Sequence, residues 1–397
     1  MKRRHFLAAS GAATLAAACG RLYAAPTDAR FLLVFLRGGY DAANVLVPVS
    51  SADYYEARPN IAVQKSQALA IDGDWGLHPA WRESLYPLYQ KGEVAFVPFA
   101  GTENLSRSHF ETQDSIELGQ PEGQRNYGSG FLNRLFSVLN GGSAISFTNQ
   151  LPLVFRGEAR VANAAIRFAG RTGVDARQSK MIEDMYRDTP LSTPVTEGFA
   201  SRDKLMSELG QEMEAANRNA PNARNFELEA RRVARLMKSS YRLGFVDVGG
   251  WDTHVAEGGA QGQLAVRLQQ LGGGLAAFAE EMGPAWRDTV VVVISEFGRT
   301  FRENGNRGTD HGHGGVYAVL GGSVRGGRVA GEQVRVGRAT LLENRDFPVL
   351  NEYRALLGGL LARLYGLSDD QLAKVFPGIR GQGNNSRVLA LGTELLP

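Results

Sequence analysis

Residues 288–300, DTVVVVISEFGRT, indicate the class of fold more strongly than any other stretch. The run begins with consecutive β-branched residues and has no polar residue at alternate positions, which predicts a strand buried on both faces. Such strands are typical of a parallel sheet that is covered by helices on both sides. Five other apolar runs predict further strands: FLLVFLR (31–37), EVAFVPF (93–99), PLVFR (152–156), LGFVDVG (243–249) and VYAVLGG (316–322).

Helical patterns alternate with these runs. Residues 78–90, 225–241 and 263–282 each precede a predicted strand, and the last contains a glycine run that disfavours a continuous helix. The tail, 347–378, predicts two more helices. The alternation predicts an α/β fold with a mainly parallel central sheet and helices on both faces.

The stretch from 157 to 224 is more polar and irregular than the rest of the chain. We expect a single domain over residues 26–397, with an irregular and helical insertion around 157–240.

The first 25 residues resemble an export signal of the twin-arginine type. Arg3 and Arg4 precede a weakly apolar, alanine-rich stretch that is too short to span a membrane. An N-terminal helix of the mature protein is the alternative. Cleavage near Ala24 and lipid modification at Cys19 are both compatible with the small residues there. The expected location is the periplasm or another compartment beyond the cytoplasmic membrane.

Removing the signal changes the charge of the chain. Its first 24 residues hold four basic and no acidic residues, so 40 basic and 41 acidic residues remain. This balance gives no reason to expect nucleic-acid binding.

Cys19 is the only cysteine, which excludes disulfides and thiolate chemistry in a mature protein that lacks it. No later stretch has the roughly 20 apolar residues of a transmembrane helix.

Polar residues cluster beside the ends of the predicted strands, where open α/β sheets bind their ligands. They are Asp41 and Asn44 after the first strand, Asp252 and His254 after the fourth, Glu296 and Arg299 after the fifth, and Asp310, His311 and His313 before the sixth.

These residue types favour a divalent metal such as zinc or manganese, bound as one or two ions. We take Asp41, Asp252, His254, Glu296, Asp310, His311 and His313 as candidate ligands, some of which would orient others. Taken singly, each motif also fits a turn, a surface loop or an ion pair. His311 and His313 point to opposite sides if the chain is extended there, so we expect only one of them to bind the metal directly.

The segment 104–119 adds candidate catalytic residues. Ser106 or Ser108 would be a nucleophile at a helix N-terminus, and His109 would be an acid, a base or a ligand. Alternatively, Ser108 and Glu111 form a capping box and have only a structural role.

Three arginines and one histidine remain to be assigned. Arg299, with Arg37 and Arg302, would hold an anionic substrate or instead pair with Glu296. His78 is expected to be structural.

The motifs together resemble domain-of-unknown-function family 1501. They are FLRGGYDAANVLVP (35–48), RPNIAV (58–63), GGWDTH (249–254), VVVISEFGRT (291–300), GTDHGHGG (308–315) and the closing LYGL and VFPG. That family is similar to the alkaline phosphatase-like superfamily of phosphatases, sulfatases and phosphoglycerate mutases. The resemblance implies an alkaline phosphatase-like α/β sandwich with two metal ions at strand ends and a hydroxyl nucleophile.

The resemblance also implies roles for individual residues. Asp41 takes the place of the metal-binding Asp after the first strand, Asp252 and His254 take the place of an Asp/His pair, and His311 or His313 is the late histidine ligand. Three features depart from the superfamily: Asp252 and His254 lie closer together in sequence than the usual pair, Phe297 stands where a histidine is usual, and the signature of formylglycine sulfatases is missing.

The sequence therefore favours an exported, metal-dependent hydrolase or transferase that acts on a phosphate ester or a related anionic ester. The alternative is a catalytically degenerate member that binds a ligand or partner in the periplasm. A third interpretation, an amidohydrolase-type barrel, fits less well because the HGH motif lies near the end of the chain rather than after the first strand.

Overall fold

The computed structural model describes residues 28–165, 176–200, 226–379 and 385–397. The predicted signal, including Cys19, lies outside these residues, as do two parts of the predicted insertion. Among the helices described, none combines the length and the apolar character that a membrane crossing requires.

The strands form one large sheet and one small sheet. In chain order they are β1 (Arg30–Arg37), β2 (Leu46–Val47), β3 (Leu69–Ala70), β4 (Gly76–Leu77), β5 (Val94–Gly101), β6 (Ala144–Ser146), β7 (Ala162–Asn163), β8 (Leu243–Gly249), β9 (Thr289–Ser295), β10 (Gly315–Leu320), β11 (Arg328–Val329) and β12 (Asn351–Glu352).

The α-helices are α1 (Ala42–Val45), α2 (Ala52–Ala57), α3 (Leu85–Gln90), α4 (His109–Leu118), α5 (Phe131–Leu139), α6 (Ala176–Tyr186), α7 (Phe226–Ser239), α8 (Gln263–Met282), α9 (Tyr353–Tyr365), α10 (Asp369–Val375) and α11 (Asn385–Glu394). A further helical stretch covers 192–200. Short 3₁₀ turns lie at Pro79–Trp81, Leu153–Phe155, Gly283–Asp288 and Arg338–Thr340.

The large sheet has the strand order β11-β5-β10-β9-β1-β8-β6-β7, and β12 also pairs with β5. All its pairings are parallel except those of β10, which runs antiparallel to both β5 and β9. The predicted α/β fold with a mainly parallel sheet is confirmed. Because this sheet is open in the described residues, it gives no support to the barrel interpretation.

The reversal of β10 determines which loops meet. The carboxyl ends of β1, β5, β8 and β9 lie at one edge of the sheet, and the amino end of β10 lies at the same edge. The loop from β9 to β10 therefore begins and ends there. Polar residues from four separate parts of the sequence are brought to one place.

Both faces of the sheet are buried, which explains the continuous apolar runs. Along β1, Leu32, Val34 and Leu36 belong to the core on one face, which also contains residues of α7 and α8. The alternate residues Phe31, Leu33 and Phe35 belong to the core on the other face, with residues of α9 and α11. The fold is thus a three-layer α/β/α sandwich.

Two sequence predictions were wrong in detail. The run PLVFR forms a 3₁₀ turn, not a strand: Leu153, Val154 and Phe155 are buried, but their backbone groups bond locally and to the side chains of Glu117 and Asn133. The glycine run in α8 does not break the helix. A Cβ at Gly272 would lie 2.4 Å from Ser84 Oγ, so the missing side chains let neighbouring segments pack closely on α8.

Candidate metal centre

Three histidines and one aspartate converge at the carboxyl edge of the sheet. Asp252 and His254 follow β8, His109 is the first residue of α4 after β5, and His311 precedes β10. Ligand atoms of His109, Asp252 and His311 all lie within 4.8 Å of one another. His254 is the fourth member, because it contacts both His311 and Asp252. We call these four residues the His3Asp cluster.

His311 lies at the centre of the cluster. Its Nε2 atom is 3.0 Å from Nε2 of His109 and 3.1 Å from Nε2 of His254. Oδ1 of Asp252 lies 3.2 Å from His311 Nε2 and 2.9 Å from His254 Nε2. In tetrahedral zinc sites with bonds of about 2.0–2.1 Å, two ligand atoms lie about 3.3 Å apart. The spacing in the cluster is close to that value.

Each imidazole has a hydrogen-bond acceptor at its other nitrogen. His109 Nδ1 lies 2.7 Å from Glu296 Oε1, His254 Nδ1 lies 3.2 Å from Asp310 Oδ1, and His311 Nδ1 lies 2.9 Å from the carbonyl oxygen of Arg107. A carbonyl or a carboxylate accepts, so these partners favour the tautomer with the proton on Nδ1, which leaves the Nε2 lone pair directed at the cluster. An acceptor of this kind at the outer nitrogen of each ring is typical of metal-binding histidines.

Glu296 is fully engaged by the protein. Its Oε1 accepts hydrogen bonds from His109, from Gln113 Nε2 at 2.8 Å and from Gly38 N at 2.8 Å, and its Oε2 accepts from Ser295. Burial disfavours the charge, but these donors hold the pKa of Glu296 below its usual value. In return, the hydrogen bond to Glu296 raises the pKa of His109. Glu296 therefore orients His109 instead of facing the centre of the cluster.

Asp310 has a similar position behind His254. Its Oδ1 accepts from Asn304 Nδ2 at 3.1 Å as well as from His254. Burial works against ionisation, but these two partners lower the pKa of Asp310. The structure brings Asp310 to the cluster as a hydrogen-bond partner of a histidine.

Arg299 pairs with Asp252 and not with Glu296. Its Nη1 donates to Asp252 Oδ1 at 2.6 Å, and its side chain is completely buried. Desolvation raises the pKa of Asp252, but Arg299 more than offsets this and keeps the pKa below its usual value. A buried guanidinium that is held in this way serves to fix the carboxylate. Arg37 pairs with Glu117 and Asp247.

Asp41 is not brought to the cluster. Both of its carboxylate oxygens accept from Arg58, and the side chains of both residues are completely buried. Burial alone would raise the pKa of Asp41, but the Arg58 charge holds it below its usual value. Arg58 also donates to Asn44 Oδ1 and to the carbonyl oxygens of Thr300 and Phe301. The Asp41–Arg58 ion pair is therefore a structural interaction that joins the segment after β1 to the loop after β9.

His313 is also apart from the cluster, although it lies only two residues from His311. It is buried, and burial lowers its pKa to about 4. The chain here pairs with the residues after β9: Gly298 N donates to the carbonyl of His313, and Thr300 N donates to that of Asp310. Arg299 and His311 are therefore cross-strand neighbours. Gly312 permits this pairing, because a Cβ there would lie 2.4 Å from the carbonyl carbon of Arg299.

The two candidate serines have different surroundings. Ser106 Oγ donates to Glu111 Oε2 at 2.6 Å and is thereby engaged. Ser108 is the N-cap of α4, but its side chain makes no capping bond, so the predicted Ser108–Glu111 capping box was wrong. The loop before α4 bends so that Ser106 meets Glu111 in its place. Within the described chain, the Ser108 hydroxyl forms no hydrogen bond and is half-buried.

The remaining histidine of the fold is structural, as expected. His78 is buried, its Nδ1 accepts from Ala80 N, and its Nε2 lies 3.0 Å from the carbonyl of Gly259.

A protein-family model described as "Protein of unknown function (DUF1501)" matches residues 28–376. The chain belongs to this family. No curated protein shows significant similarity to its sequence.

The solved structures to which the chain shows similarity share little sequence with it. A protein in the alkaline phosphatase superfamily from Vibrio parahaemolyticus is 11% identical, with a TM-score of 0.36 over 76% of this chain and 62% of that one. The protein Ps i-CgsB in complex with k-i-k-neocarrahexaose is also 11% identical, with a TM-score of 0.37 over 86% of this chain and 73% of that one. The chain thus spans less than two thirds of the Vibrio protein, and similarity at this level transfers no residue role.

Phe297 packs directly against the cluster. Its ring centroid lies 4.8 Å from that of His109 and 5.2 Å from that of His311, and the side chain is buried. Among the described residues, the groups that could hold a metal form one compact cluster. An apolar ring beside two imidazoles restricts their movement and adds no ligand.

Several residues that support the cluster were missed by the sequence analysis. Gln113 had a readable signal, because it lies four residues after His109 and therefore on the same face of α4. Arg107 contributes its backbone carbonyl, which no side-chain pattern indicates. Thr309 contacts Arg299, Glu257 contacts Thr309, and Arg58 contacts Asp41, so these three residues lie behind the cluster without touching it. Their partners come from distant parts of the chain.

Removal of the carboxylate behind His109 tests this arrangement. We expect Glu296→Gln to weaken Zn²⁺ binding by about 10–100-fold, the range typical for residues that orient metal ligands. Isothermal titration of the purified protein with ZnCl₂ measures the change. Glu111→Gln is the matched control, because Glu111 lies on α4 like His109 but is bonded to Ser106. Equal affinity of Glu296→Gln and the unmodified protein would contradict an orienting role.

Proposed function

We propose that the protein is a metal-dependent hydrolase or transferase that acts on a phosphate ester or a related anionic ester. The observation that carries the proposal is the convergence of three Nε2 atoms on Asp252, with a hydrogen-bond acceptor behind each ring. Hydrolases of anionic esters use such centres to neutralise charge on the reacting oxygens.

The donor set fits a divalent ion. Three imidazoles and one carboxylate suit zinc, and manganese or iron is also compatible with nitrogen and oxygen donors. His109, His254, His311 and Asp252 would hold the ion. When bound, it would polarise an ester oxygen and lower the pKa of a water molecule.

The Ser108 hydroxyl and the N-terminus of α4 add further functional groups to the proposed site. Ser108 offers a free hydroxyl at the N-terminus of α4, one residue before His109. The positive end of the helix dipole stabilises a negative charge that develops there. The cluster is open to solvent, since the Asp252 and His254 side chains are 42% and 40% exposed. A substrate can therefore reach both the hydroxyl and the cluster.

Export through the twin-arginine route is part of the proposal. Arg3 and Arg4 before an alanine-rich stretch support it. That route carries proteins after they have folded, so a metal would be loaded in the cytoplasm. Fractionation of cells that express the full-length chain, with and without Arg3→Lys and Arg4→Lys, tests the location.

The function itself is tested by metal analysis followed by turnover assays. We expect close to one equivalent of zinc, manganese or iron per chain after purification or reconstitution. We also expect hydrolysis of at least one aryl phosphate mono- or diester, lost on dialysis against a chelator and restored by the metal. Fewer than roughly 0.2 equivalents after reconstitution would overturn the metalloenzyme proposal.

A second candidate function, metal or ligand binding without catalysis, is favoured by Phe297. An apolar side chain contacts two of the four cluster residues, at the position where the resemblance implies a further histidine ligand. Full metal occupancy without turnover on a broad panel of phosphate mono- and diesters would support this candidate over the hydrolase.

The nucleophile is tested by Ser108→Ala. We expect the turnover number to fall by at least about 10³-fold, as is usual when a nucleophile is removed, while metal content stays the same. Ser106→Ala is the matched control, because the Ser106 hydroxyl is already bonded to Glu111. Steady-state kinetics on the best aryl phosphate from the panel give the comparison. If both variants keep their activity, a water molecule is the nucleophile instead.

A further inference from the structure

A buried chain of hydrogen bonds lies behind Arg299. The Nε atom of Arg299 donates to Thr309 Oγ1 at 3.1 Å, and Nη2 donates to the carbonyl of the same residue. Thr309 Oγ1 donates in turn to Glu257 Oε2 at 2.7 Å. Thr309 and Glu257 are both completely buried.

The direction of this chain is fixed by chemistry. A guanidinium can only donate, so the Thr309 hydroxyl must accept from Arg299 and use its own hydrogen for Glu257. Glu257 ends the chain beside Asp41, whose charge, together with burial, raises the pKa of Glu257. Glu257 Oε2 accepts from the Thr309 hydroxyl, and within the described residues Glu257 Oε1 has no hydrogen-bond partner. Arg299 and Thr309 therefore each have one possible role in this hydrogen-bonded row.

We propose that Thr309 and Glu257 are positioning residues that hold the Arg299 guanidinium on Asp252 and so fix the orientation of the one carboxylate in the His3Asp cluster. The proposal rests on the proposed function for the role of Asp252 as a metal ligand. It assigns to Thr309 and Glu257 a part in metal binding although neither belongs to the cluster.

The geometry explains why the hydroxyl matters. The guanidinium is planar, and its Nη1 donates to Asp252 Oδ1 while Nε and Nη2 are both held by Thr309. Among the residues that the structure describes, the one other acceptor of Arg299 is the carbonyl of Gly38, at 3.4 Å from Nη1. Without the Thr309 hydroxyl, Nε of Arg299 would be a buried donor with no partner. The guanidinium would then rotate toward another acceptor. Such a rotation moves Nη1 away from Asp252.

The test compares matched variants with Zn²⁺ alone as the probe. Thr309→Val removes the hydroxyl at nearly constant volume, and Thr309→Ser restores it. Glu257→Leu removes the acceptor, and Glu257→Gln keeps an acceptor for the Thr309 hydroxyl. We expect Thr309→Val and Glu257→Leu to weaken Zn²⁺ affinity by about 10–100-fold, and Thr309→Ser and Glu257→Gln to bind Zn²⁺ within a few-fold of the unmodified protein.

A second readout reports on Arg299 directly. In the metal-free protein labelled with ¹⁵N-arginine, the buried and hydrogen-bonded Nε–H of Arg299 gives a slowly exchanging NMR signal, assigned by its loss in Arg299→Lys. We expect protection to remain in Thr309→Ser and to disappear in Thr309→Val. A purely structural role of Thr309 would lower thermal stability without selectively exposing this one Nε–H.

The outcomes separate the two proposals. If the unmodified protein binds no Zn²⁺, the proposed metalloenzyme fails, while the Nε–H signal still shows whether Thr309 holds Arg299. If Thr309→Val keeps both its Zn²⁺ affinity and its protected Nε–H, the positioning proposal is overturned. Weaker binding with an unchanged Nε–H overturns it too, because the effect would not pass through Arg299. If Thr309→Val does not fold, Arg299→Lys takes its place, because it keeps the charge but loses the planar guanidinium. We expect Arg299→Lys to weaken Zn²⁺ binding to the same extent. Unchanged Zn²⁺ binding in this variant overturns the proposal.

Discussion

His311→Ala is expected to abolish tight metal binding. The Nε2 atom of His311 contacts Nε2 of His109, Nε2 of His254 and Oδ1 of Asp252, so its loss removes the central member of the cluster. We expect Zn²⁺ affinity to fall by more than about 100-fold, the upper end of the effect of a residue that only orients a ligand. Isothermal titration with ZnCl₂, supported by metal analysis after dialysis, measures the loss.

His313→Ala is the matched control for this experiment. His313 is also a histidine of the HGH motif, but its side chain is buried apart from the cluster. We expect its replacement to lower thermal stability and to leave Zn²⁺ affinity nearly unchanged. An equal loss of affinity in both variants would contradict the assignment of His311 over His313.

Arg58→Met is expected to cause the largest loss of stability. It leaves the completely buried carboxylate of Asp41 without its cation, and breaking a buried ion pair in this way costs about 3–5 kcal/mol. The free energy of unfolding, from urea denaturation followed by circular dichroism, should fall by that amount. In the double variant Asp41→Asn with Arg58→Met, part of the loss is regained because no charge remains to be buried.

The pH dependence of this loss follows from the sign of the pKa shift. Arg58 holds the pKa of Asp41 below its usual value, so the pair contributes stability above the unfolded pKa of Asp41 and loses it as the pH falls through the folded pKa. In Arg58→Met, burial raises that pKa instead, and Asp41 takes up a proton more easily. The difference between the two proteins should therefore shrink on acidification. A difference that stays constant between neutral and acidic pH would show that lost packing, not charge, causes the destabilisation.

Much of the sheet could be predicted from local sequence. Residues 290–294 of β9 are apolar at every position because both faces of the sheet are covered, and residues 31–36 of β1 show the same pattern for the same reason. The direction of β10 could not be predicted, since an apolar run of six residues does not indicate whether a strand is parallel or antiparallel. That direction is nevertheless what places His311 at the same edge as Asp252.

The sequence indicated which end of the sheet would carry the candidate site. It did not indicate which residues would form the cluster and which would lie behind it. The rule that ligands bind at strand ends correctly indicated where Asp252, His254 and His311 would meet. It applied equally to Asp41, whose partner Arg58 lies 17 residues further along the chain and meets it only in the folded protein. The rule also could not distinguish the residues of the cluster from the residues that orient them. Glu296 and His109 become partners across 187 residues.

The cross-strand pairing of Arg299 with His311 makes the length of this loop as important as its composition. Side chains along paired extended segments alternate between opposite sides, so a single inserted or deleted residue between these two positions would place Gly312 or Asp310 opposite Arg299. The histidine would then point away from the cluster although every residue of the motif was still present. Relatives that bind metal in the same way should therefore keep a fixed number of residues between this arginine and this histidine, even where the residues between them differ.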